Sequence, residues 1–154
     1  MFLQNLRARM SARLSGDRES GFTLIELLVV MLILGILAAI AIPAFFNQRD
    51  KGTDAQAKAA VRTAQTAMET YATDNGGSYV GATPAKLAAI EPTLQTEGDN
   101  AITVGELEAT KYKVTSTSGT TNTFSIARNG GTVTFSCTAF GDGGCPADPG
   151  DWSK

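Results

Sequence analysis

The chain contains no histidine. That absence removes histidine-based acid–base catalysis and His-ligated metal from the functions open to it. Its 16 glycines follow no fibrous period, and with 5 prolines they do not make a low-complexity chain. Charge is thin as well, at 18% of the residues, and leaves a net −2. What positive surplus exists lies in the first 21 residues, where Arg7, Arg9, Arg13 and Arg18 outnumber Asp17 and Glu19. The rest is acidic, which argues against bulk electrostatic binding of nucleic acid. Gly130-Gly131 and the glycines of residues 141–144 lack the strand–helix context and lysine of a phosphate loop. No nucleophile–base pair or metal cluster can be assembled. A structural protein without a cofactor is predicted, rather than an enzyme.

Long apolar runs, by contrast, are present. Residues 27–42 are all apolar or Gly; extension back to Phe22 adds only Thr23 and Glu26, and the run passes Pro43 to reach Phe46. As a helix, residues 22–46 would span roughly 35 Å, enough to cross a bilayer core. No small-residue cleavage site follows, since the next residues are Asn47, Gln48, Arg49, Asp50 and Lys51. The segment is therefore predicted to stay attached, with the basic leader held in the cytoplasm and the remainder exported.

Glu26 does not suit a simple anchor. A carboxylate at that depth costs on the order of 2.5–3.5 kcal/mol on insertion scales, so it needs a partner. Just upstream lies the small, polar junction Ser20-Gly21-Phe22. Cleavage after Gly21 would leave a cationic α-amino group on Phe22, a counter-charge that a neighbouring copy could offer to Glu26.

The stretch Gly21-Phe22-Thr23-Leu24-Ile25-Glu26-Leu27-Leu28-Val29-Val30 resembles the prepilin junction of type IV pilins, and the likeness runs on through Gly35 and Pro43. One departure is Ser20, where many such leaders end in Lys or Arg before the Gly. The resemblance implies a leader, residues 1–21, removed after Gly21 by a prepilin peptidase, and N-methylation of Phe22. It implies that Glu26 neutralises the N-terminus of an adjacent subunit. Membrane lipid, the peptidase and methylase, the pilus assembly machinery and further copies of the chain are the implied partners. The implied course is from single-pass cytoplasmic-membrane precursor to extracellular pilus, serving adhesion, motility or DNA uptake. A type II secretion pseudopilin and a single-pass anchor that never polymerises are the alternatives. Pro43 removes a backbone donor and Gly35 weakens the helix by about 1 kcal/mol. A continuous, slightly bent helix is predicted in the isolated subunit; the resemblance implies that residues 35–43 melt in the filament.

The helical period continues in residues 47–74. Ala57, Val61, Ala64, Met68 and Tyr71 form a stripe flanked by Ala60 and Ala67. Gln56, Lys58, Arg62, Gln65, Thr66 and Glu69 fall on the opposite, solvated face. Asp74-Asn75-Gly76-Gly77 ends the helix. Residues 75–110 read as a connection with a short helix near 84–91, started by Thr83-Pro84. A brief extended piece is placed at residues 101–104.

From residue 111 to 138 the period becomes two, predicting three antiparallel strands with Tyr112, Val114, Phe124, Ile126, Val133 and Phe135 on one face. Asn129-Gly130-Gly131 marks a tight hairpin. The class is α+β, a long N-terminal helix on a small antiparallel sheet, and the resemblance implies the pilin fold. Cys137 and Cys145 read as one local disulfide in an exported domain, contributing roughly 2–3 kcal/mol, or as free thiols in a cytoplasmic one. The resemblance places the loop and tail of residues 139–154 on the filament surface. Trp152 is predicted to pack back on the sheet. Asp142, Asp148 and Asp151 are candidate Ca²⁺ ligands, set against a plainer role as turn formers.

Overall fold

The computed structural model describes residues 21–147 and 151–153. The leader up to Ser20, and Asp148, lie outside them. The chain divides into two compact units at Ala41/Ile42.

Helix α1, Leu24–Asp74, runs through both units. It begins two residues later than Phe22 because Thr23 caps it. The helix passes unbroken through Gly35 and Pro43, although Pro43 has no N–H to donate to the preceding turn. It stops where Gly76 and Gly77 take φ of 67° and 84°, with Gly77 N–H donating to Ala72 C=O at 2.7 Å. Asn75 Nδ2 donates to Tyr71 C=O at 2.7 Å. On the outward side, Thr66, Thr70 and Thr73 donate their hydroxyls to the carbonyls of Arg62, Thr66 and Glu69 one turn earlier.

In the first unit the apolar side chains of α1 are all exposed, from Leu24 through Ile40. In the second, the stripe Ala57, Val61, Ala64, Met68 and Tyr71 is buried as its spacing predicts. Ala67 and Ala72 join it. Small side chains dominate this face, and much of the core's volume comes from strand residues such as Tyr112, Phe124 and Ile126.

Helix α2, Pro84–Ile90, has the predicted start: Thr83 is extended at φ −136° and its hydroxyl accepts from Lys86 N–H at 3.3 Å. Leu87 is its buried side chain, and Glu91 N–H donates to Leu87 C=O at 2.8 Å as the helix closes.

The sheet has four strands, not three. They are β1 Ile102–Gly105, β2 Lys111–Thr117, β3 Thr123–Asn129 and β4 Thr132–Cys137, antiparallel in the order β1-β2-β3-β4. The extra strand is the short extended piece at residues 101–104, which pairs Ile102 with Ser116 and Val104 with Val114. Four residues are too few to display an alternation, so pairing along β2, rather than local pattern, reveals the strand. The register stacks Val104, Val114, Ile126 and Phe135 across the inner face. Asn129 pairs with Thr132 around Gly130-Gly131, and Gly130 supplies the positive φ, 60°, that a two-residue hairpin turn demands.

Trp152 closes the core at the C-terminal end. It is buried, stands edge-on to Phe124 and Phe135 with ring centroids at 5.9 and 5.1 Å, and donates Nε1–H to Ser136 C=O at 2.9 Å. Lys58 and Arg62 lie over its ring at 5.8 and 5.3 Å.

Candidate functional site

The junction singled out by the sequence sits at the start of α1. Thr23 N–H donates to Glu26 Oε2 at 2.7 Å and the Thr23 hydroxyl to the same oxygen at 2.8 Å; Glu26 N–H returns a bond to Thr23 Oγ1 at 3.3 Å. This is a capping box, in which each residue satisfies a backbone donor of the other. Reading Thr23 only as an interruption missed it, although the Thr-x-x-Glu spacing before an apolar run is its signature. Phe22 is 82% exposed beside it, and Phe22, Ile25, Glu26, Val29 and Val30 line an apolar groove of about 340 Å³. A Cβ at Gly21 or Gly35 would meet nothing within 4 Å. Nothing described in the chain itself therefore requires glycine at either position.

Two further carboxylates organise the second unit, and neither was singled out from sequence. Asp54 is fully buried. It accepts hydrogen bonds from the Thr120 hydroxyl, from Asn122 Nδ2 at 2.9 Å and from Gly144 N–H at 2.7 Å. Burial pushes its carboxyl up, but the donors Thr120, Gly144, Ser118 and Asn122 outweigh burial and hold it below its usual range.

Glu69, placed by the helical period on the solvated face, instead receives Tyr79 Oη at 2.8 Å, Tyr112 Oη at 2.9 Å and Arg128 Nη1 at 2.7 Å. Here too burial raises the carboxyl and the hydrogen bonds from Tyr79, Tyr112 and Arg128 bring it below its usual value. Desolvation and the bond to Glu69 push the Tyr112 hydroxyl upward in turn. Lys58, also assigned to that face, donates Nζ–H to Gly144 C=O at 2.6 Å. Long side chains whose stems run along the helix can reach inward from flanking positions, and helical period alone does not register that.

Cys137 and Cys145 form the disulfide, with Cα atoms 5.8 Å apart. It closes the loop that Asp54 and Lys58 touch. Among the candidate Ca²⁺ ligands, Asp142 is exposed in this loop and Asp151 accepts from Ser153 N–H at 2.9 Å. Among the described residues no three His, Cys, Asp or Glu side chains converge to hold a metal. Helix α1 is the one helix among them long and apolar enough to cross a membrane.

Residues 16–42 match the family described as the prokaryotic N-terminal methylation motif. The major component of a type IV narrow pilus from Thermus thermophilus is 34% identical over 135 residues, covering 79% of this chain and 97% of that protein. The chain belongs to the type IV pilin family. The type IV major fimbrial protein of Dichelobacter nodosus is 36% identical over 99 residues, 62% of this chain and 64% of that one. The type II secretion system core protein G of Pectobacterium carotovorum is 33% identical over 86 residues, and there this pilin-family chain spans only 55% of the relative's length. None of these names is that of an enzyme. No solved structure matches the chain. The methylation motif and the apolar helix together point to membrane anchoring of the precursor. The long helix on an antiparallel sheet is the pilin-like α+β layout that the junction resemblance implied.

Proposed function

We propose that the chain is a structural subunit of a type IV pilus, without catalytic activity of its own. It is stored in the cytoplasmic membrane by residues 22–46, cut after Gly21 by prepilin peptidase, methylated at Phe22, and assembled with other copies into an extracellular helical filament. The observation that carries this reading is coverage: the likeness to a pilus major component spans 97% of that protein and 79% of this chain. The likeness to a secretion core protein stops at 55%. That second similarity supports the competing role of pseudopilin, whose fibre would stay in the periplasm.

The capping box supports a specific part for Glu26. Its Oε2 is occupied by Thr23, which lowers the cost of carrying the carboxylate in a low-dielectric setting. Oε1 can accept from the cationic N-terminus of a neighbour while the box stays closed. Glu26→Gln keeps an acceptor for Thr23 but drops the charge; it is expected to reduce filament yield with leader cleavage intact. Normal filaments from that variant would refute the charge pairing. Gly21→Val should leave the leader attached, read as intact mass; unaltered maturation would remove the cut-site assignment. Residues 35–43 are expected to lose helix only in the polymer.

Mass spectrometry and electron microscopy of filaments sheared from intact cells test the main reading. Recovery of this chain as a filament component supports a surface pilus. Its absence from sheared fibres, with the processed chain retained in the periplasm, would make it a pseudopilin. Retention as an unassembled membrane protein would make it a plain anchor.

A further inference from the structure

The loop between Cys137 and Cys145 has little of its own to fold with: Ala139 and Phe140 are its apolar residues, and Phe140 is 54% exposed. Even so, the residue next to Cys145 is gripped at both polar groups of its backbone. Asp54 Oδ2 accepts Gly144 N–H at 2.7 Å, and Lys58 Nζ donates to Gly144 C=O at 2.6 Å. Asp54 and Lys58 stand one turn apart on α1, so a single patch of helix holds both the N–H and the C=O of one residue. The same carboxylate holds Thr120 and Asn122 of the β2–β3 turn, and Asn122 Nδ2 also reaches Asp142 C=O at 3.4 Å. Glycine is needed for so close an approach. A Cβ at Gly144 would come 2.8 Å from Asp54 Cβ, and one at Gly143 would strike Asp54 Oδ2.

None of these contacts involves a sulfur atom. They act on the loop backbone and not on the disulfide itself. We infer that Asp54 and Lys58 are positioning residues for oxidation of Cys137 and Cys145, docking the loop so that the two thiols meet. The oxidant is a small-molecule or protein disulfide, for which glutathione disulfide serves as probe. One cysteine thiolate attacks it and expels one glutathione; the other then attacks the mixed disulfide and releases the second. The cysteines give up two protons and two electrons, and the oxidant becomes two thiols. The second attack is intramolecular, so its equilibrium follows the local concentration of one thiol around the other. A glycine-rich loop left free spreads that concentration over many conformations; the grip on Gly144 narrows it. Docking and oxidation therefore reinforce each other by the same factor.

The test equilibrates the full chain, in detergent micelles, against graded mixtures of reduced and oxidised glutathione, with free thiols counted by alkylation and intact mass. Asp54→Asn and Lys58→Met are expected to move the midpoint by roughly tenfold toward more oxidising mixtures. Asp142→Asn, in the same loop but outside the grip, should stay at the wild-type midpoint. Denaturant unfolding followed by circular dichroism reports whether each variant keeps its fold. Should Asp54→Asn fail to fold, Gly144→Ala disturbs the same contact from the loop side and keeps the buried carboxylate. Wild-type midpoints in folded Asp54→Asn, Lys58→Met and Gly144→Ala would overturn the assignment. So would a shift in Asp54→Asn alone, which would trace the effect to general destabilisation.

Discussion

The two ends of α1 use opposite means. Between Leu24 and Ile40 the helix carries large apolar side chains and buries none of them within the chain. Between Asp54 and Ala72 alanine is its commonest residue, and there eight residues are buried. Large apolar residues with no internal partner belong to a surface whose partner is outside the subunit, whether lipid or another copy. Small residues with a sheet laid on them belong to a core. The charged residues divide the same way. Glu26 is satisfied by its immediate neighbour Thr23, whereas Asp54 and Glu69 are satisfied by residues far away in sequence.

The most severe way to break this contrast is Asp54→Ala. It strands the donors of Asn122 and Gly144 and is expected to cost on the order of 3 kcal/mol, measured by denaturant unfolding of the second unit in the full chain. Glu26→Gln should leave that unfolding curve in place; a matching loss would mean that the two ends are not separable. Next comes overpacking. Ala64→Leu should cost about 2 kcal/mol because the site is closed on all sides, while Ala38→Leu on the apolar segment should cost the second unit nothing.

The Glu69 centre gives a smaller effect with a defined pH signature. Its lowered carboxyl, like that of Asp54, contributes stability present above the ordinary values of 4.5 and 3.8 and lost as pH falls below them. The raised hydroxyls of Tyr79 and Tyr112 contribute stability present below their ordinary 10.0 and lost as pH climbs past it. Stability should plateau between these limits and fall on both sides. Tyr112→Phe should remove about 1 kcal/mol at neutral pH and soften the alkaline fall. The smallest change is a gain. Ser116 Oγ is buried with no hydrogen-bond partner among the described residues, so Ser116→Ala should add up to about 1 kcal/mol in the same unfolding assay.

Local pattern carried the argument a definite distance. The alanine stripe, the Thr83-Pro84 helix start, strands β2 to β4 and the glycine hairpin were legible because each rests on neighbours in sequence. Trp152 was placed on the sheet from its size and its polar edge alone. Strand β1 was half seen, as an extended piece with no partner. What stayed hidden depends on groups brought from a distance: Asp54 meets Gly144 across a separation of 90 residues and Lys58 meets it across 86. A charged residue beside an apolar stripe looks solvated until its partner is known. Thr23 is different, since its signal was local and went unread because the apolar run around it drew attention to the carboxylate alone.

The threonines on the outward side of α1 have a consequence for that surface. Thr66, Thr70 and Thr73 spend their hydroxyl protons on carbonyls of their own helix, at 3.3, 3.1 and 2.9 Å. Such hydroxyls need no water to be satisfied as donors. A face built this way can be dried by contact without orphaning a proton, and it can be wetted again without rearranging. It is polar by composition and almost indifferent to solvent by wiring.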